Sequence, residues 1–161
     1  MCETEKFFCL GMNIKPEYMM LNIKASTDVE AIKILAENFF KAGAVKDTFV
    51  PAILLREKNF CTGLQFEEAG IAIPHTDAIH VNYPAVAIGK LENPVVFQSM
   101  GAPDTPVKVE IMFMLAIKEP HKQIEFLQLL MTKFQEENLL RRLMKCNTAE
   151  ELTEKFIACL V

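Results

Sequence analysis

The chain has no tryptophan, six glycines and three histidines in 161 residues, and these shortages remove several classes of function. The glycines (Gly11, Gly43, Gly63, Gly70, Gly89, Gly101) are scattered, so neither a dinucleotide-binding fingerprint nor a Walker A loop can be assembled from them. A Gly-x-Ser-x-Gly elbow and a His-Glu-x-x-His helix are absent as well. The longest uninterrupted apolar run, Ile111 to Ile117, is seven residues. A membrane span needs about twenty, so direct membrane insertion is not expected. There is no excess of positive charge. Seventeen basic residues face twenty-one acidic ones, and no basic run exceeds the Arg141-Arg142 pair. A surface dedicated to nucleic acid phosphates is therefore not expected either. Five cysteines (Cys2, Cys9, Cys61, Cys146, Cys159) form an odd set with no Cys-x-x-Cys, which predicts a reducing compartment where thiols act as small apolar fillers. The start, Met1 to Lys6, is acidic and no proper apolar segment follows, unlike a secretory signal. A cytoplasmic protein is expected.

What is present is core-forming. The composition is 51% apolar with twelve Phe and nine Met, and a compact chain of this length buries about 68–70% of the surface its unfolded form exposes. That suits a single domain. Residues 1–17 read as a short arm ending at Lys15-Pro16-Glu17, and 18–161 as the domain. Tyr18–Ile23 is a strand candidate. Thr27-x-x-Glu30 is a capping box that opens a helix with Val29, Ile32, Leu35, Ala36, Phe39 and Phe40 on one face, stopped by Gly43. A second helix is expected from about Thr48 to Lys58, capped by Asp47 or Thr48, with Ile53 and Leu54 inward.

From Gly70 onward the pattern changes. Gly70-Ile71-Ala72-Ile73-Pro74 reads as a strand ended by proline. Ala85–Leu91, Val95–Phe97 and Val107–Ile117 are further strands, the last apolar enough to be covered on both faces. A helix beginning at Pro120 carries Ile124, Leu127, Leu130, Met131 and Phe134, with His121 placed near its inward face. A short helix over Asn138–Lys145 and a capped one from Thr148 through Leu160 follow. The fold expected is α/β, with a central mixed β-sheet flanked by helices on both faces.

The histidines carry the chemistry. A neutral imidazole is a good nucleophile near neutral pH without further activation. His75 follows Pro74 at a strand tip, where α/β sheets commonly meet ligands, and position alone leaves it either a strand-end cap or a functional group. His121, in the first turn of a helix, is either a capping residue or a neighbour of bound anions. His80 lies in a loop that supports no inference. Cys61, His75, His80 and His121 match no standard zinc spacing, and no metal or cofactor is expected.

The string Leu55-Arg56-Glu57-Lys58, then Thr62-Gly63, then Gly70-Ile71-Ala72-Ile73-Pro74-His75 resembles the sugar phosphotransferase system enzyme IIA family of fructose/mannitol type. Pro106-Val107 leading into Ile111–Leu115, and His121-x-x-x-x-Phe126-Leu127, extend the likeness over about Tyr18 to Val161. Pro74–His80 together with Met100–Asp104 is most similar to the galactitol-type branch. His121 departs from that pattern: it matches the second active-site histidine of the mannitol and fructose branches, and some galactitol-type members carry another residue there.

The resemblance implies a relay. The phosphocarrier HPr would phosphorylate His75, a cysteine of a IIB partner would take the group, and a membrane IIC partner would present the sugar or sugar alcohol. His121 would stabilise the phosphoryl group, Arg56 would offset its charge and the Thr62 hydroxyl would donate to it, while Glu57 would pair with Arg56 or a lysine. One alternative keeps the fold and makes it a regulatory module whose histidine phosphorylation controls a partner. A more distant one pairs Cys61 as nucleophile with His75 or His80, without an oxyanion hole or a third, orienting group.

Overall fold

The computed structural model describes residues 8–9 and 11–160. In chain order it contains strands β1 (Phe8–Cys9), β2 (Met12–Asn13) and β3 (Met19–Ile23), helices α1 (Asp28–Lys41) and α2 (Phe49–Asn59), strands β4 (Gly63–Gln65), β5 (Gly70–Ala72), β6 (Ala85–Gln98) and β7 (Pro106–Ala116), and helices α3 (Pro120–Lys133), α4 (Leu139–Met144) and α5 (Ala149–Leu160). The seven strands form one mixed sheet in the order β1-β2-β6-β7-β5-β4, with β3 also paired to β6. β5 runs parallel to β7, while β6 and β7 are antiparallel.

The sheet separates two cores. One face carries Ala72, Ala87, Val109, Met112 and Met114 against α1 and α2 through Ile32, Leu35, Phe39, Phe49 and Ile53. The other carries Ile71, Ile73, Val86, Phe113 and Leu115 against α3, α4 and α5 through Phe126, Leu130, Leu140, Leu152 and Phe156. Residues 111–116 of β7 are fully buried because both layers cover them. Each large side chain so buried contributes about 1.5–3 kcal/mol relative to exposure.

The signals of α1 and α5 act as expected, whereas the cap expected from Asp47 or Thr48 on α2 makes no side-chain hydrogen bond. Thr27 accepts from the Glu30 amide at 3.2 Å, and Glu30 reaches back to the Ser26 amide at 2.9 Å. Thr148 and Glu151 repeat the arrangement at 3.1 Å each. Gly43, at φ 89°, follows the end of α1 in the left-handed region that a C-terminal cap requires.

Several boundaries and faces differ from the sequence expectation. Residues 12–14, assigned to an arm, belong to the domain: β2 joins the sheet beside β6, and Met12 and Ile14 are fully buried. Ala85–Leu91 and Val95–Phe97 are one strand interrupted by a register shift between Lys90 and Val95. β4 had no expectation attached to it. On α1, Val29 and Phe40 are exposed, and Ala31, Ile32, Leu35, Ala36 and Phe39 make the buried stripe. On α3 the inward residues are Gln123, Phe126 and Leu130, whereas His121 and Ile124 face outward. His121 is therefore not on the buried face. Residues 1–7, with Cys2, lie outside the described residues.

Candidate active site

β5 ends at Ala72, and Pro74 turns the chain while its carbonyl accepts the Leu115 amide of β7 at 3.0 Å. That bond and an isolated bridge between His75 and Leu115 hold His75 at the end of the central strand, half-buried. The ring has a defined orientation. Its Nδ1 lies 2.8 Å from the Ile73 carbonyl oxygen. A carbonyl can only accept, so Nδ1 carries the proton and the lone pair is on Nε2. Burial lowers the pKa of His75; the bond to Ile73 opposes this, and the positive charge of Arg56 lowers it further. At neutral pH the imidazole is thus uncharged, with one nitrogen available as a nucleophile.

Thr76 and Asp77, the two residues after His75, line a cleft of about 220 Å³ together with Leu55, Arg56, Phe60 and His80. Arg56 lies in the last turn of α2 with its guanidinium 4.2 Å above the centre of the Phe60 ring. Stacking fixes the plane and leaves the edge N–H groups unused, and at an exposed site it is worth about 0.5–1 kcal/mol. Among the described residues Arg56 forms no ion pair. An unpaired guanidinium beside a neutral imidazole suits an incoming dianionic phosphoryl group.

His80 shares a 2.8 Å hydrogen bond between its Nδ1 and the Thr48 hydroxyl. Thr48, the N-cap residue of α2, makes no side-chain cap because its backbone is already helical (φ −77°, ψ −11°) rather than extended. His121 is exposed in the first turn of α3, five residues after the end of β7 and so at the same end of the sheet as His75. Lys118 ties this connection to the segment after His80 through a 3.0 Å bond to the Val81 carbonyl. Pro120 has no N–H, and the amides of Lys122 and Gln123 donate to the Glu119 carbonyl. Fewer helix-end donors face outward than a bare N-terminus would offer.

Two expectations about side-chain partners are corrected. Glu57 pairs with neither Arg56 nor a lysine among the described residues. Its buried carboxylate accepts from the Thr62 amide at 2.9 Å and from the Thr62 hydroxyl at 3.0 and 2.7 Å. Consequently the single hydroxyl proton of Thr62 points to Glu57 and is not held out for a phosphate. Burial raises the Glu57 pKa, against the lowering effect of the Thr62 bonds. Cys61, adjacent to this pair, has its thiol pKa raised by burial and by the negative charge of Glu57, which works against a thiolate nucleophile. Among the described residues no group of three or more His, Cys, Asp or Glu side chains is placed to hold a metal ion.

Residues 12–158 match the family model described as "Phosphoenolpyruvate-dependent sugar phosphotransferase system, EIIA 2". The chain belongs to that family. It is accordingly a phosphotransferase component that relays phosphoryl groups in sugar transport, and EIIA domains partner with a IIB component.

The chain is 32% identical over 114 residues to the galactitol-specific EIIA component of Escherichia coli strain K12, covering 71% of this chain and 75% of that protein. It is 30% identical over 116 residues to the transcriptional regulator ManR of Bacillus subtilis, covering 72% of this chain and 16% of ManR. Among solved structures, the complex of enzyme IIA mannitol with phosphorylated enzyme IIB mannitol from Escherichia coli matches at TM-score 0.71 and 25% identity, covering 91% of this chain and 98% of that one. Among the described residues, no helix of this EIIA domain is long and apolar enough to cross a membrane.

The sequence signal for the placement of His75 was a proline-ended strand, and the roles expected of His75 and Arg56 came from the family resemblance. The Glu57–Thr62 pair and the stacking of Arg56 on Phe60 had no periodic signature. Both depend on how the chain turns between α2 and β4.

Proposed function

We propose that His75 is the phosphoryl acceptor of this EIIA domain and that Nε2 is the atom that carries the group. The observation that supports this is the 2.8 Å bond from Nδ1 to the Ile73 carbonyl, which keeps the proton on Nδ1 and the Nε2 lone pair free. In the first exchange the Nε2–P bond forms while the N–P bond of phosphorylated HPr breaks, its electron pair returning to the donor ring. In the second, a cysteine thiolate of the IIB partner forms an S–P bond as the Nε2–P bond breaks and the pair returns to His75. No net proton movement is needed at His75, so a pinned Nδ1–H serves both steps. Arg56 offsets charge on the equatorial oxygens, with His121 as a second donor from α3.

Both partners are proteins, so the site must offer a face as well as a nucleophile. Leu55, Phe60 and Ile79 are 62%, 59% and 69% exposed, and the first two line the His80 cleft. They form an apolar rim suited to transient docking. Likeness to the galactitol component supports a sugar alcohol of that kind as the transported substrate, presented by a membrane IIC partner, with the relay itself working in the cytoplasm.

A regulatory role is the second reading, supported by the likeness to part of ManR. It uses the same histidine and differs only in what receives or senses the phosphoryl group. The test is incubation with labelled phosphoenolpyruvate, enzyme I and HPr. Acid-labile label on the peptide containing His75 supports the acceptor assignment, and onward transfer to a IIB cysteine selects transport. Undiminished labelling of His75→Ala rejects the assignment.

A further inference from the structure

We infer that Glu57 and Thr62 act as positioning residues for transfer at His75, forming a latch whose hold passes through the backbone of Ile73 to the imidazole. The inference rests on the relay reading of His75. The connection is continuous. The Glu57 carboxylate accepts the Thr62 amide and hydroxyl at 2.7–3.0 Å. The Thr62 carbonyl accepts the Ile73 amide at 3.2 Å, and the Ile73 carbonyl accepts Nδ1–H of His75 at 2.8 Å. The residue before His75 is held separately, by the Leu115 amide on the Pro74 carbonyl. The strand end is therefore gripped from two sides, by β7 and by the loop between α2 and β4.

The latch is costly, which is the reason to assign it more than a packing role. Glu57 is 7% exposed and Thr62 is 3% exposed. Glu57 lies in the last turns of α2, where the helix end is already negative. Among the described residues no cation pairs with it. An apolar residue of similar volume would meet a packing requirement without desolvating a carboxyl group. What the carboxylate supplies is a pair of acceptors that match both donors of one threonine. Neighbouring backbone reinforces the fit: a side chain at Gly63 would place its Cβ 2.6 Å from the Gln98 carbonyl oxygen, so β6 closes on the loop directly behind Thr62.

The latch also sets a second coordinate. Adjacent residues on a helix point about 100° apart, so Glu57 faces the loop while Arg56 faces the cleft. Anchoring Glu57 to Thr62 fixes the end of α2 against the chain that leads to His75. It thereby fixes the guanidinium relative to the nucleophile.

The test uses the intact protein, with three measurements on each variant: single-turnover phosphoryl uptake from phospho-HPr, thermal unfolding, and the nitrogen NMR signals of the His75 ring. Glu57→Ala removes both arms of the latch and Thr62→Val removes the hydroxyl arm, whereas Thr62→Ser keeps both donors and Glu57→Gln keeps one acceptor oxygen. The first two are expected to stay folded, to transfer about 10- to 100-fold more slowly, as misplacement of reacting groups does, and to lose the single Nδ1–H tautomer. The conservative pair is expected to keep most of the parent rate and the parent tautomer. Should Glu57→Ala fail to fold, the near-isosteric Thr62→Val carries the test.

Parent-like transfer with an unchanged Nδ1–H signal in Thr62→Val overturns the latch, as does a slowdown that only follows the unfolded fraction. A parent protein that takes no label on His75 defeats the relay reading instead. The NMR signal then decides the latch alone: retention of the parent tautomer in Thr62→Val overturns it, and loss supports it.

Discussion

Two clefts lie at opposite ends of β5, and the larger is the wrong place for the chemistry of this family. The larger, about 460 Å³, is lined by Phe66, Phe134 and the carboxylates Glu67, Glu68, Glu136 and Glu137. Its one arginine, Arg141, is engaged 3.3 Å from Glu68, which also accepts the Asn138 amide at 3.0 Å. The smaller, about 220 Å³, adjoins His75 and holds Arg56 without a carboxylate partner among the described residues. Glu136 pairs with Lys133 at 3.1 Å, so a phosphoryl dianion entering the larger cleft meets the negative charge of Glu67 and Glu137, which have no cationic partner among the described residues. At the smaller one it meets a single carboxylate, Asp77, together with a spare guanidinium and, alongside, the neutral ring nitrogen of His75. Volume selects for small-molecule pockets, but a relay between proteins needs a shallow site, and here the state of the charges distinguishes the two ends.

The sharpest way to break this comparison is to remove the nucleophile. His75→Ala should lose phosphoryl acceptance entirely while keeping the parent circular dichroism spectrum, because the ring is half-buried at a loop and its one hydrogen bond is to a carbonyl. Next in size come the charge-compensating groups. Arg56→Ala should slow acceptance about 100-fold, the usual loss when a preorganised donor to transition-state charge is deleted. Arg56→Lys should recover only part of this, since an ammonium lacks the planar fork and the stacking on Phe60. His121→Ala should cost about tenfold, the equivalent of about 1.4 kcal/mol, because its ring is exposed and less firmly placed. Stopped-flow or quench measurements with phospho-HPr order the three. Parent-like rates in both Arg56→Ala and His121→Ala would mean that charge does not distinguish this end.

That His75 was readable as a residue displayed at a strand end has a physical cause, whereas its role and that of Arg56 came from the family resemblance. A proline can end a ladder but cannot extend it, so Pro74 announces a strand tip and whatever follows it is displayed. The helices were legible because Thr27, Thr148 and Gly43 are local signals whose action needs no partner from elsewhere in the chain. The orientation of α3 was less so. Ile124 and Leu127 look as core-like as Phe126, and only the packing of Phe126 beneath β7 shows which stripe faces in. β4 is three residues long and carries no alternation, and it exists because β5 and the β6–β7 hairpin provide partners. The Glu57–Thr62 pair was misassigned for a related reason. Opposite charge made Arg56 the obvious partner, but adjacent helix positions diverge, and the loop returns Thr62 to Glu57 instead.

The pH dependence tests the electrostatic half of the comparison. Burial and Arg56 lower the pKa of His75 in the folded protein, below a reference near 6.5. Acceptance should therefore hold steady as pH falls through the ordinary histidine range and decline only in more acid solution. The stability effect has a definite sign. Between the folded and unfolded pKa values the unfolded chain binds more protons, so stability rises with pH there. This contribution is fully present above about pH 6.5 and is lost as pH falls below it. Denaturant unfolding from pH 5 to 8 should show that acid-side loss in the parent and less of it in His75→Ala. In Arg56→Ala the acid limb of the rate profile should move to higher pH, by less than full exposure would move it, since burial is the larger cause.

The smallest expected effect belongs to the other end of the sheet, and it is the control that gives the rest meaning. Arg141→Ala removes the guanidinium facing Glu68, but the arginine side chain is 63% exposed, so the loss of stability should stay below about 1 kcal/mol. Oε1 of Glu68 is already buried without a partner, and Oε2 keeps the Asn138 amide, so the turn between β4 and β5 should hold its shape. Phosphoryl acceptance should equal that of the parent. If Arg141→Ala instead slowed transfer as much as Arg56→Ala, a cation at either end of β5 would matter equally. The contrast between an engaged and an available guanidinium would then fail as the reason transfer occurs beside His75.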